Sequence, residues 1–77
     1  MTFNELRTEI ANCSGMNFIA ASEKLQSMIF ALSKADTLEL ISQIGAIPED
    51  IGHDSTEEKI YTKVSDIILA KSLIELN

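Results

Sequence analysis

Apolar side chains recur three and four positions apart along almost the whole chain, which is the spacing of amphipathic helices. Polar punctuation divides the pattern into about four helices, expected near 3–13, 17–33, 37–44 and 56–75. In the first, Phe3, Leu6, Ile10 and Cys13 form one stripe, Thr2 and Glu5 make a capping box, and Gly15 suits a left-handed stop just beyond. The second places Phe18, Ala21, Leu25, Met28 and Leu32 on one face with Ile29 beside them, leaving Glu23 and Lys24 to solvent. Asp36 is expected to open the third, with Glu39 three positions on, Leu38, Ile41 and Ile44 facing inward, and Gly45 ending it.

Residues 46–55 contain the only proline, Pro48, and read as an ordered loop pinned by Ile47 and Ile51. Ser55 and Glu58 make a further capping box that opens the last helix. Its first half is amphipathic, with Ile60, Val64 and Ile67 inward and Lys59, Lys63 and Asp66 outward. From Ile67 to Leu76 it is apolar nearly all round, as in a helix buried on more than one side. Short helices cannot easily cover such a surface. Something further is therefore expected to pack there, whether a continuing chain, a second copy or another protein; the alternative is a frayed helix end with incidental apolar residues.

Composition narrows this all-α picture, a compact bundle of about four helices. With 77 residues, 45% of them hydrophobic, the chain makes one small domain or a fragment of a larger one. Cys13 is the only cysteine and His53 the only histidine, so neither an internal disulfide nor a four-ligand zinc site of the usual kind can brace it. Twelve acidic against six basic residues give a formal charge of −6, which duplex DNA repels; this is no autonomous DNA-binding module. No segment approaches a membrane span or a secretory leader, and a soluble, cytoplasmic chain with no membrane partner is expected.

The densest polar cluster is Glu49, Asp50, Asp54, Glu57 and Glu58, with His53 and Lys59 among them. Carboxylates can hold Mg²⁺ or Ca²⁺, yet the spacing matches no calcium loop, and acids gathered at a helix N-terminus explain the cluster more simply. Pro48-Glu49 followed by Glu57-Glu58-Lys59 spells the acid and acid-x-Lys signature of a large nuclease superfamily. Those residues belong on a strand, whereas here they fall in the first turn of a helix. His53 lacks a nucleophile or metal-ligand company, Ser55 reads as a helix cap, and Cys13 as a small core residue. No catalytic, cofactor-binding or metal-ligating residue is assigned from these patterns.

Two resemblances bear on function. Asp36-Thr37-Leu38-Glu39-Leu40 looks like the attachment motif of acyl carrier proteins, with Thr37 where that family has its essential serine; Asp54-Ser55-Thr56 has the serine but room for one helix after it. The broader resemblance is densest from Leu38 to Leu73. Ile44-Gly45-Ala46-Ile47-Pro48-Glu49, Ser55-Thr56-Glu57-Glu58-Lys59, Thr62-Lys63 and Asp66-Ile67-Ile68-Leu69-Ala70-Lys71 occur in an order and spacing similar to the N-terminal region of HindIII-type restriction endonucleases.

That resemblance implies the helical N-terminal part of an α/β type II restriction endonuclease, a dimeric, Mg²⁺-dependent enzyme that cleaves a short palindrome in duplex DNA. It places the catalytic acids and lysine on strands downstream of the matched region. No cofactor or metal is implied for this chain itself. Glu58 is the one position it suggests as an accessory carboxylate near the metal, beside its capping role. The chain alone is expected not to cut DNA, and to self-associate or pack against a catalytic region. The rival reading is a small acidic interaction or inhibitor module that binds a basic partner.

Overall fold

The computed structural model describes residues 1–76, and its helices are α1 (Phe3–Cys13), α2 (Phe18–Phe30), α3 (Lys34–Gln43) and α4 (Thr56–Leu76). Among the described residues there is no strand, so the architecture is all-α. The longest helix, α4, packs against each of the other three, and α1 also touches α2. Between them lies one core of Leu6, Ile10, Cys13, Ala21, Leu25, Ile29, Leu40, Ile51, Ile60, Tyr61, Val64, Ile67 and Ile68.

The caps explain where the helices start. Thr2 Oγ1 accepts from the Glu5 amide at 3.1 Å and Glu5 Oε1 accepts from the Thr2 amide at 3.2 Å, the reciprocal box the sequence predicts. Asn17 opens α2, its Oδ1 accepting from the Ile19 amide at 2.8 Å. This helix ends at Phe30 rather than near residue 33, because Ser33 is taken as the cap of the next.

The start of α3 corrects the sequence expectation. Ser33, not Asp36, is its N-cap, with Oγ accepting from the Asp36 amide at 3.1 Å. Asp36 therefore sits inside the first turn, where its carboxylate meets the amino terminus of Met1 at 3.4 Å. Along this helix Thr37 and Leu40 are fully buried, while Leu38, Ile41 and Ile44 are only half-buried. Both Ser and Asp are good caps, and here Ser33 takes the role.

The expected glycine stops also differ. No glycine of the chain has positive φ. The end of α1 is closed by Ser14, whose hydroxyl donates to the Ala11 carbonyl at 2.7 Å, and α3 ends on Ile44 in extended conformation. Among the described residues the one left-handed position is Asp54, at φ 59°, in the turn before α4. Aspartate tolerates that region better than most side chains.

Two further apolar positions lie elsewhere than predicted, since Phe18 and Ile47 are exposed. The far end of α4 is covered on one side only, with Leu69, Leu73, Ile74 and Leu76 exposed. Ile51 does enter the core and holds the loop, helped by Arg7 of α1, which donates to both Asp50 carboxylate oxygens at 2.9 and 2.8 Å. No described helix is long and apolar enough to cross a membrane.

Candidate functional site

The loop before α4 and that helix's first turn bring together three of the polar residues singled out in the sequence. His53 Nδ1 lies 3.5 Å from Glu58 Oε2, and His53 Nε2 lies 3.6 Å from Asp54 Oδ2. These contacts are ion pairs when the imidazole is protonated. His53 and Asp54 are almost fully solvated, whereas Glu58 is partly covered. Glu58 is held there by its backbone: its amide donates to Ser55 Oγ at 3.1 Å, and that hydroxyl donates in turn to the Gly52 carbonyl at 2.6 Å. Half of the predicted capping box thus forms. The Glu58 carboxylate lies by His53 rather than making the reciprocal bond to the Ser55 amide, which donates to Gly52 instead.

The other acids of the cluster do not join them. Asp50 is committed to Arg7, whose hydrogen bonds hold its carboxyl below the usual carboxylate range. The guanidinium is raised correspondingly, chiefly by the same bonds. Ligand atoms of His53, Asp54 and Glu58 lie within 4.8 Å of one another, the one such group among the described residues. The two carboxylates face different nitrogens of one ring, so a single ion could not use both of those contacts. Mg²⁺ also prefers an octahedral set of oxygens. The set does not fit that ion, and no catalytic step is derived through it.

The acid and acid-x-Lys string is dispersed in the same way. Glu57, Glu58 and Lys59 occupy the first turn of α4, and among the described residues no strand presents them toward a scissile phosphate. Thr37, the counterpart of a carrier-protein attachment residue, is fully buried, and its hydroxyl donates to the carbonyl of the helix cap Ser33 at 2.9 Å. It offers no accessible oxygen to an incoming group. Ser55 is engaged as a helix cap.

Sequence reasoning missed Lys71. It falls in the most apolar stretch of the chain, yet its side chain is only 4% exposed. Its Nζ donates to the Ile29 carbonyl at 2.9 Å and to the Leu32 carbonyl, and it lies 3.9 Å from Glu75. A cation thus satisfies carbonyls at and just beyond the end of α2, where the helix dipole favours positive charge. The available signal was one lysine amid apolar neighbours with an acid four positions on.

The geometry therefore defines a class: an acidic helical bundle whose polar loop is built around helix caps and ion pairs and holds no assembled catalytic centre among the described residues. The sequence profile of the HindIII restriction endonuclease family matches residues 3–77, and the chain belongs to that family. It is 38% identical over 73 residues to the type II restriction enzyme HindIII of Haemophilus influenzae, a match that covers 95% of this chain and 24% of that protein. The matched region is the N-terminal part of the Haemophilus enzyme. The chain thus spans about a quarter of the length of the curated relative it matches. No solved structure gives a significant match.

Proposed function

We propose that this chain is the N-terminal helical part of a type II restriction endonuclease, a cytoplasmic enzyme that in its whole form cleaves duplex DNA at a short palindrome using Mg²⁺. The family match over residues 3–77 carries the reading. The division of labour follows from charge and site content. A chain of net charge −6 is a poor ligand for phosphates, so the basic surface that grips DNA belongs to the rest of the enzyme. Phosphodiester hydrolysis needs carboxylates that clamp a metal beside the attacking water. Those groups likewise belong to the remainder, and this bundle braces it.

In this role Glu58 pairs locally with His53 instead of serving the metal, and its amide is capped by Ser55. The 77-residue chain incubated with plasmid DNA and Mg²⁺ should leave it uncut. When the matching part of the Haemophilus enzyme is replaced by this chain, the chimera should cut plasmid DNA at discrete sites. A folded chimera that cuts nothing, or specific cleavage by the short chain alone, overturns the reading. If the chain instead acts as an acidic inhibitor, it should suppress the intact Haemophilus enzyme in the same assay.

A further inference from the structure

The last two turns of α4 reverse the usual arrangement of an amphipathic helix. Lys71 and Ser72 face the bundle and are buried, and Glu75 is half-buried beside them. The outward arc carries Leu69, Ala70, Leu73, Ile74 and Leu76, with the four large side chains exposed by 50%, 56%, 63% and 66% respectively in the order Leu69, Leu73, Ile74, Leu76. Leu69, Leu73 and Leu76 recur at the four-then-three spacing that lines one helix face. Beyond Asp66 no ionisable side chain among the described residues lies on this arc.

The face runs into a groove between α2 and α4. Phe30, Ile67 and Ala70 line the groove together with Gln26, Lys63 and Asp66. Phe30 is itself 46% exposed. Exposed large apolar side chains and an aromatic ring beside polar residues are features of protein interfaces. A helix solvated on this side would be expected to place Lys71 and Glu75 outward and the leucines inward. Here the cation is instead used to close the end of α2, which leaves the leucines for something else.

We propose that this face docks the catalytic remainder of the restriction endonuclease; the proposal rests on the family reading above. Two observations select that occupant over a second copy of the chain. The chain corresponds to only 24% of its Haemophilus relative, so most of such an enzyme lies outside the match and must be packed against. A second copy would bring a further −6 of charge, whereas a region that holds DNA phosphates is basic and complements this one.

The test uses Leu73→Glu in two settings, with Ile19→Glu, an exposed position near the start of α2, as the control. In the 77-residue chain both variants should melt as the parent does, because both side chains are already exposed. In the chimera with the Haemophilus remainder, Leu73→Glu should lower the melting temperature by about 5 °C or more, or split the transition in two, while Ile19→Glu leaves it unchanged. The proposal is overturned if Leu73→Glu is as harmless as the control in the chimera, if it acts equally in the short chain, or if the parent chimera melts as two independent parts. It is also overturned if the short chain forms a dimer that Leu73→Glu dissolves. Plasmid cleavage by the same chimera is scored separately. A silent Leu73→Glu in a cleaving chimera removes the docking face but leaves the enzyme reading; a destabilising one in a non-cleaving chimera does the reverse.

Discussion

Lys71 of α4 donates to the Ile29 carbonyl of α2 at 2.9 Å, across 42 residues of sequence and inside the bundle. A buried ammonium is tolerated only where acceptors replace its water, and here the carbonyls of Ile29 and Leu32 and the nearby Glu75 carboxylate supply them. Lys71→Met keeps most of the apolar stem but strands two carbonyls. It should destabilise the chain by about 1–3 kcal/mol, read as a lower urea midpoint with unchanged slope. An unchanged midpoint would show that water replaces the ammonium freely.

The Arg7–Asp50 pair ties the loop to α1, and its dependence on pH has a definite sign. Arg7 holds the Asp50 carboxyl below its ordinary value in the folded chain. The pair's contribution is therefore fully present above the unfolded carboxyl value of about 4, and is lost as pH falls through the lower folded value. Asp50→Asn should narrow its stability gap to the parent on acidification. A gap that stays constant between about pH 6 and pH 2 would rule out this linkage.

Tyr61 is buried, and its hydroxyl has no hydrogen-bond partner. A buried hydroxyl without a partner forfeits its hydration with nothing in return. Tyr61→Phe should consequently be neutral or stabilising by up to about 1 kcal/mol in thermal unfolding. A clear loss of stability would reveal an ordered water on the phenol oxygen.

Burial of Thr37 makes a chemical prediction. With its hydroxyl bonded to the Ser33 carbonyl and its side chain fully covered, the residue should accept no phosphopantetheine when the chain is incubated with coenzyme A and a carrier-protein transferase. Intact-mass spectrometry checks this directly; an adduct on Thr37 would restore the carrier reading.

The helical architecture was legible because stripes and caps agree at Thr2 and Ser55, where local chemistry and core burial point the same way. Around residues 31–36 they did not. Ser33 and Asp36 are both competent caps, and local spacing does not choose between them; nor does it show that Asp36 meets the amino terminus of Met1, a contact across 35 residues. The grouping of His53, Asp54 and Glu58 was foreshadowed by proximity in sequence, but Asp50 was separated from it by an arginine 43 residues away. For the end of α4, the sequence pattern showed excess apolar surface. Which side of it remains open depended on Lys71 turning inward, which periodicity alone does not predict.

Cys13 has no exposed surface at all and packs among the helices as a small apolar side chain. Its sulfur can meet a reagent in solution only when the bundle opens. Because it is the only thiol, the rate of its alkylation is a direct readout of that opening, without any introduced probe. If the remainder of the enzyme clamps α4, labelling of Cys13 should slow when the two are joined, so one native atom can report over time how firmly the pieces hold together.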